Sequence, residues 1–322
     1  MIDSALHLIQ ATVQLEQYKN PAQRTVGTGF LVTVEEADGT PQTVLITARH
    51  VFNDMKGQEA RVGYRTANAD GSWSYTPRTL KIRDASGAPL WTSHPERDVA
   101  AIRLKAPPEF ARAAIPIGYL ATDDDIASNR IAPGAELFVL GFPKGLSANN
   151  AGFPILRSGR VASYPVSPSA SPTFLLDFAV FQGNSGGPVF ATPGLQPASI
   201  GVARPMIAGI LTQQVELANE RLEIGVVTHA RYIAETVDLL YGGRRPTPAG
   251  ASEQLVVAHA EPVSATTPPS LWRTPVAWMR ERLADARLAL GRGLSQLAGL
   301  LLGDQPADPA PGHPTGPDRR TA

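Results

Sequence analysis

The chain has 322 residues, of which 43% are hydrophobic, so it can bury a large core and form one or two domains. Basic and acidic residues balance at 29 each, which leaves no overall field to attract nucleic acid, and we expect no nucleic-acid binding. The absence of cysteine excludes disulfide bonds, thiolate nucleophiles and cysteine-ligated zinc.

The amino terminus, MIDSALHLIQATVQLEQYKN, lacks the basic head and the unbroken apolar run of a signal peptide. No stretch reaches the roughly 18 apolar residues that span a bilayer. The best candidate, near 283–302, is interrupted by Asp285, Arg287 and Arg292. We therefore expect a soluble, cytoplasmic protein whose membrane contact, if any, is peripheral.

Between residues 8 and 228 the sequence alternates short β-branched or apolar runs with turns that contain Gly and Pro. This pattern predicts an all-β barrel or sandwich. The next stretch, HARYIAETVDLLY, predicts a helix because Ile233, Val237 and Leu240 (or Leu239) recur at helical spacing and make one apolar face. The predicted strands are TVQLEQ, TGFLVTV, TVLITA, RVGYRT, DVAAIRL, ELFVLGF, TFLLDFAV and MIAGILTQQ.

The composition changes after the predicted helix, and we expect the main domain to comprise residues 1–241. Residues 242–270 are rich in Pro, Ala, Ser and Thr and predict a linker. Residues 271–302 predict an isolated amphipathic helix, because apolar side chains recur at intervals of three, four and seven residues. Residues 303–322, with five prolines, predict a disordered tail.

The apolar stripe within residues 275–302 has several candidate partners. The stretch 273–302 carries five arginines against two acidic residues, a charge that permits peripheral attachment to an anionic membrane surface. The stripe also fits a partner protein, a second copy of the chain or the body formed by residues 1–241. The sequence leaves these alternatives open, with docking or self-association as the simpler explanation.

The stretch FQGNSGGPVF, residues 181–190, places Ser185 in a polar turn with glycines on both sides. Such glycines allow a sharp turn in which backbone N–H groups converge on one point. A serine nucleophile needs such donors for the oxyanion, together with a base and a group that orients the base. A purely structural turn explains the same residues.

His50 is the candidate base, because the apolar strand in VLITARHVF runs directly into it. Of the six histidines, His94 is the one rival, since it lies close to Asp98 in SHPERD. Asp98 is the candidate orienting carboxylate, because it begins an apolar strand and an acid drawn to the core edge needs a partner. Asp84 and the run Asp123–Asp125 are alternatives in more polar surroundings.

Three motifs together resemble the trypsin-like (chymotrypsin-fold) serine peptidases over residues 8–241: TARH around His50, DVA at Asp98 and GNSGGP around Ser185. The order His, Asp, Ser is that family's order and differs from those of subtilisins and α/β-hydrolases. The resemblance implies two antiparallel β-barrels with a C-terminal helix on the body. It also implies a catalytic triad of these three residues that needs no metal and no cofactor.

The resemblance implies roles for further residues. Gly183 and Ser185 match the positions whose N–H groups form the family's oxyanion hole. Thr212 matches a hydroxyl that hydrogen-bonds the triad aspartate, with a plain strand threonine as the alternative. Gln213 and Gln214 follow along an edge that pairs with the substrate backbone.

Ala179 matches the base of the primary specificity pocket, where an uncharged residue implies small or medium apolar substrate side chains. The implied function is therefore a serine endopeptidase that acts on protein or peptide substrates. A catalytically silent peptide-binding module on the same fold is the alternative from a different class.

Three positions look more like the bacterial HtrA-like branch than the digestive branch. Asn184 stands where digestive enzymes have the Asp that pairs with a new N-terminus, so we do not expect activation of that kind. Val51 replaces a disulfide cysteine, and Asp177 lies eight positions before Ser185. The excess of Arg over Lys, 24 to 5, suggests a GC-rich bacterial source. Residues 242–322 lack the strands of the PDZ domain that is usual in that branch.

Overall fold

The computed structural model describes residues 4–20, 23–36, 38–128, 131–193, 195, 204–217 and 220–243. Sixteen β-strands and five α-helices lie in these residues. Seven of the eight predicted runs lie largely on one observed strand, and RVGYRT is divided between two short consecutive strands. The strands form two main sheets that follow one another along the chain.

The ten strands of the first part of the chain are β1 (Thr12–Asn20), β2 (Gln23–Glu35), β3 (Pro41–Thr47), β4 (Glu59–Gly63), β5 (Arg65–Ala67), β6 (Trp73–Tyr75), β7 (Arg78–Lys81), β8 (Thr92–Ser93), β9 (Ala100–Arg103) and β10 (Ile115–Pro116). The main sheet has the order β7-β4-β1-β2-β3-β9-β8, β10 pairs β2 in parallel, and β5 and β6 form a separate pair. This sheet is a half-barrel, the first of the two barrel-like sheets that the resemblance implies. Its edge strands, β7 and β8, have four and two residues.

The six strands of the second part are β11 (Glu136–Gly141), β12 (Ile155–Val161), β13 (Thr173–Asp177), β14 (Pro188–Ala191), β15 (Met206–Leu217) and β16 (Glu220–His229). They close into a barrel in the order β11-β12-β13-β16-β15-β14, and all neighbours are antiparallel. Closure leaves no free sheet edge within the barrel itself. The predicted all-β class, with a barrel architecture of the trypsin-like kind, is confirmed.

The five helices are short: α1 (Ser4–Ala11), α2 (Arg49–Asp54), α3 (Pro108–Ala113), α4 (Asp123–Ser128) and α5 (Ala230–Leu240). The predicted helix after the last strand is confirmed as α5, which packs on β9 and β15 and buries Ile233 and Val237 completely. The other four were not predicted. With only six to eight residues each, they are too short for a helical period to be seen.

Strands β2 and β3 are apolar on both faces. Phe30 and Ile46 belong to a core that extends through the second barrel, whereas Leu31 and Leu45 belong to the core of the half-barrel. All four are fully buried, and each such side chain contributes about 1.5–3 kcal/mol to stability. Because successive strand residues face opposite sides, a strand covered on both sides is continuously apolar.

Residues 244–322 lie outside the described residues, and with them almost all of the predicted linker and the whole predicted amphipathic helix and tail. The predicted domain boundaries, and the partners of residues 275–302, therefore stay predictions. Within the described ranges, no helix is long and apolar enough to cross a membrane.

His229, which immediately precedes α5, is a buried imidazole. It is 1% exposed, and its ring lies 4.9 Å from the ring of Phe174. Neither ring nitrogen has a hydrogen-bond partner among the described residues. Burial lowers the pKa of His229 to about 4, although the charge of Asp123 opposes the shift. Native His229 therefore stays neutral over a pH range in which the unfolded chain is protonated.

Replacing His229 by leucine removes this proton linkage. Between about pH 6.5 and pH 4 the unfolded chain binds a proton that the native chain does not, so His229 destabilises the native state as the pH falls. We expect the free energy of unfolding of His229→Leu, relative to wild type, to rise by up to about 3 kcal/mol between pH 7 and pH 4. Urea denaturation at both pH values measures this, and an identical pH dependence of the two proteins contradicts it.

Candidate active site

A cleft of about 570 Å³ brings together side chains that are far apart in the sequence. His50, Asp98 and Ser185 all line it. The other lining residues are Arg49, Asn53, Val180, Phe181, Gln182, Thr212, Gln213, Gln214 and Glu216. No group of three or more His, Asp and Glu side chains suited to a metal ion occurs in the described part of the chain.

His50 lies in the first turn of α2. The chain leaves β3 at Thr47, passes through the extended residue Ala48 and enters the helix at Arg49. On one side of α2, Val51 and Phe52 are buried in the core of the half-barrel. The side chain of His50 remains 39% exposed in the cleft. The helix is thus a short platform that presents the imidazole.

Asp98 binds His50 through both carboxylate oxygens. Oδ2 lies 2.6 Å from the imidazole Nδ1, and Oδ1 accepts the backbone N–H of His50 at 2.9 Å. A carboxylate at Nδ1 favours the tautomer with the proton on Nδ1, which leaves Nε2 as the basic nitrogen. Burial alone lowers the pKa of His50, but the hydrogen bond and charge of Asp98, aided by Asp54, outweigh it and raise the pKa.

The loop that carries Asp98 is held by His94. The backbone N–H groups of Glu96 and Arg97 both donate to Nδ1 of His94 at 3.1 Å, so Nε2 bears the proton and faces Glu235 of α5 at 3.0 Å. His94 is 6% exposed and does not line the cleft. His94, the rival candidate for the base, therefore has a structural role: it joins the loop that carries Asp98 to helix α5.

The alternative acids have local partners outside the cleft. Asp84 accepts hydrogen bonds from the N–H groups of Ser86 and Ala88, both at 2.9 Å, within its own turn. Asp125 pairs with Arg204 at 2.8 Å. These contacts place both carboxylates in turn or surface roles, away from His50.

Ser185 lies in a turn, residues 182–187, that we call the Ser185 turn. Gly183 and Gly186 have φ values of +97° and +89°, a region that side chains disfavour. A Cβ on Gly183 would collide with the carbonyl of Phe142, and one on Gly186 with the carbonyl of Thr28. Both glycines are therefore required by backbone conformation and by close approach, as the sequence motif suggested.

Three N–H groups of the Ser185 turn, those of Gln182, Gly183 and Ser185, donate to no described residue. Those of Asn184, Gly186 and Gly187 donate to backbone carbonyls at 2.8–3.0 Å. The Gln182 carbonyl accepts the N–H of Lys144 at 2.6 Å. In a trans peptide the N–H of Gly183 then points the opposite way, away from Lys144. The free donors of Gly183 and Ser185 lie on alternate residues, as an oxyanion hole requires.

The hydroxyl of Ser185 makes no hydrogen bond with His50 or with any other described residue. The structure thus places serine and imidazole in one cleft without joining them, while imidazole and carboxylate are joined. Catalytic hydrogen bonds are often long in the absence of substrate and tighten when it binds.

The hydrogen bond expected between Thr212 and Asp98 is not formed. The hydroxyl of Thr212 lies 3.2 Å from the carbonyl of Val226 and 3.3 Å from the hydroxyl of Thr228, with no bond to Asp98. The reason is a β-bulge between Leu211 and Gln213, which leaves Thr212 unpaired in the register with β16. Thr212 is thus the plain strand threonine that we kept as the alternative, although it does line the cleft.

Ala179 does not line the cleft. Its carbonyl accepts a hydrogen bond from Nη1 of Arg157 at 2.6 Å, and the next two residues, Val180 and Phe181, form the wall instead. Gln213 and Gln214 line the cleft as expected. They lie on the part of β15 that extends past β14, whose pairing with β15 ends at Ile210.

Sequence reasoning missed Thr28 and Lys144. The buried hydroxyl of Thr28 donates to the carbonyl of Gly183 at 2.6 Å and accepts the N–H of Phe142 at 3.2 Å. Lys144 has a positive φ of 52° and donates its N–H to Gln182. In the sequence Thr28 looks like any other strand threonine, and nothing marks Lys144 as a residue with a left-handed backbone conformation. Neither role could therefore be predicted from the sequence.

A family model for the trypsin-like peptidase domain matches residues 27–195, which is more than half of the chain. Among solved structures, an HtrA-type protease AlgW with decapeptide is similar, with 15% identity, a TM-score of 0.45, and coverage of 75% of this chain and 67% of that one. No curated protein matches significantly. The family match includes His50, Asp98 and Ser185, and on this basis the chain belongs to the trypsin-like peptidase domain family.

Proposed function

We propose that the chain is a serine endopeptidase that hydrolyses peptide bonds through His50, Asp98 and Ser185. The observation that carries the proposal is the pair of hydrogen bonds that His50 donates to the carboxylate of Asp98, at the wall of the cleft that Ser185 lines. Asn184 and Asp177 are the basis for placing it in the HtrA-like branch of the family.

The proposed reaction has two steps. The hydroxyl oxygen of Ser185 attacks the peptide carbonyl while Nε2 of His50 takes its proton, and His50 then returns that proton to the leaving amine. A water molecule, deprotonated by the same nitrogen, hydrolyses the acyl-enzyme and regenerates the Ser185 hydroxyl. Asp98 holds the imidazole ring and stabilises its cation in both steps.

The N–H groups of Gly183 and Ser185 are the proposed oxyanion donors. Both lack a partner among the described residues, so no internal bond has to break when the tetrahedral intermediate forms. Loss of one such donor typically costs about two to three orders of magnitude in rate.

A catalytically silent peptide-binding module is the alternative function. In this alternative Ser185 and His50 would remain without a hydrogen bond when a peptide is bound, whereas the peptidase requires that bond to form. Both functions would bind a peptide in the same cleft. Gln213 and Gln214 lie on the part of β15 that extends past β14, and this edge can pair with an added peptide strand.

A fluorophosphonate probe separates the two functions, because it labels only an activated serine. We expect labelling of wild type at Ser185 and none of Ser185→Ala. For a peptide substrate, kcat of this variant should fall by about six orders of magnitude if the triad acts as a unit. Ser158→Ala, an exposed serine on β12, is the matched control and should behave as wild type. An unlabelled wild-type chain favours the peptide-binding module.

The pH dependence of kcat/KM tests the base. His50 must be neutral to accept a proton, and its pKa is raised by Asp98 and Asp54, so activity should rise with pH through a midpoint above about 6.5. Asp54→Asn removes one of the negative charges and should shift the midpoint to lower pH. Asp70→Asn, which removes an exposed carboxylate that does not act on His50, should leave the midpoint unchanged. A midpoint unaffected by Asp54→Asn contradicts the assignment.

Substrate preference is proposed from the cleft wall. Val180 and Phe181 are apolar, and Val180 lies against Gly225 of β16, so they suit a small or medium apolar side chain before the scissile bond. We expect Ala, Val or Leu to dominate that position when a peptide library is cleaved. A dominant Arg or Asp there would contradict this proposal and leave the triad assignment untouched.

A further inference from the structure

The orientation of the Gln182–Gly183 peptide depends on a second turn, residues Pro143–Gly145. Lys144 in this turn has a left-handed φ of 52°, and its N–H donates to the Gln182 carbonyl at 2.6 Å. If that bond were lost, the peptide could rotate and withdraw the N–H of Gly183 from the oxyanion position. The turn is therefore part of what keeps the proposed hole formed.

Two side chains from the half-barrel hold this turn by one atom, the carbonyl oxygen of Gly145. Nε2 of Gln14 on β1 donates to it at 3.1 Å, and Nη2 of Arg24 on β2 donates at 3.3 Å. Gly145 has a φ of +75°, and a Cβ there would lie 2.6 Å from Nη2 of Arg24. The close approach of Arg24 thus needs glycine at this position.

Arg24 is itself held by a buried carboxylate. Glu16 is 1% exposed, and its Oε2 lies 2.7 Å from Nη1 of Arg24. The other carboxylate oxygen lies 3.5 Å from Arg61 and from the hydroxyl of Tyr75. A buried carboxylate is costly unless it is paired, so Glu16 draws the guanidinium of Arg24 into one position.

Asn184, the residue before Ser185, is uncharged and forms no ion pair that could fix the Ser185 turn. Asn184 is 2% exposed, and its Nδ2 has no hydrogen-bond partner in the part of the chain that is described. The ordering of the Ser185 turn on this side comes from neighbouring segments, and the Pro143–Gly145 turn is the one that contacts the Gln182 carbonyl.

We propose that Arg24, fixed by Glu16, is a positioning residue for the oxyanion hole. It holds the carbonyl of Gly145, the Pro143–Gly145 turn then holds the Gln182 carbonyl, and the N–H of Gly183 is left pointing to the substrate. This inference rests on the proposed peptidase function and adds a role for an ion pair outside the cleft.

Arg24→Gln tests the inference, with Arg61→Gln as the matched control. Both substitutions remove a cation from Glu16, but only Arg24 contacts Gly145. For a peptide ester or amide substrate we expect Arg24→Gln to lower kcat about ten- to a hundredfold with KM changed less than about twofold, because the donors act in the transition state. Binding of a peptide boronate, whose adduct mimics the intermediate, should weaken by a similar factor. Arg61→Gln should stay within about twofold of wild type.

Thermal unfolding and circular dichroism show whether each variant folds. If Arg24→Gln does not fold, Gln14→Met tests the inference instead, because it removes the other donor to the Gly145 carbonyl. We expect this variant to lower kcat several-fold at constant KM. The inference is overturned if folded Arg24→Gln keeps the kcat of wild type, or if Arg61→Gln loses as much activity as Arg24→Gln. In both cases an active wild-type chain still supports the proposed peptidase function. An inactive wild-type chain overturns both.

Discussion

Thr28 is the point at which the Ser185 turn meets the half-barrel. Its N–H donates to the carbonyl of Ser185 at 2.9 Å, its hydroxyl donates to the carbonyl of Gly183 at 2.6 Å, and its carbonyl accepts the hydroxyl of Thr47 at 2.7 Å. Thr47 lies three residues before His50. One fully buried residue therefore connects the serine, the proposed oxyanion donor and the strand that leads to the base. Buried backbone groups that lose such partners cost about 1–3 kcal/mol each, which keeps the contact in one register.

The remaining parts of the site are also positioned by polar contacts outside the cleft. His94 ties the Asp98 loop to Glu235 of α5. Arg24 and its neighbours tie the Pro143–Gly145 turn to the half-barrel. These contacts lie outside the cleft, and the proposed oxyanion donors make no hydrogen bond to any described residue.

Much of this arrangement could be predicted from the sequence, because the strands, α5 and the glycines of the Ser185 turn are specified by local patterns. The partnership of His50 with Asp98 was also predictable, because the three motifs together carry the family resemblance that implies it. What could not be predicted depends on contacts between distant segments. The bulge that turns Thr212 toward β16, and the hydrogen bond that turns Ala179 toward Arg157, arise only when strands are paired. That the first sheet is a half-barrel and the second a closed barrel depends on which strands pair, and the lengths of the predicted runs do not show this.

The proposed mechanism requires that the His50–Asp98 pair activate the hydroxyl of Ser185 for acyl transfer. Mass spectrometry of the full chain after brief exposure to a p-nitrophenyl ester tests it most directly, because the ester leaves its acyl group on the nucleophile. We predict one acyl group per chain, located on Ser185 by peptide mapping and absent from His50→Ala. Acylation at other residues only, or acylation of Ser185 that is equally fast in His50→Ala, would contradict the account.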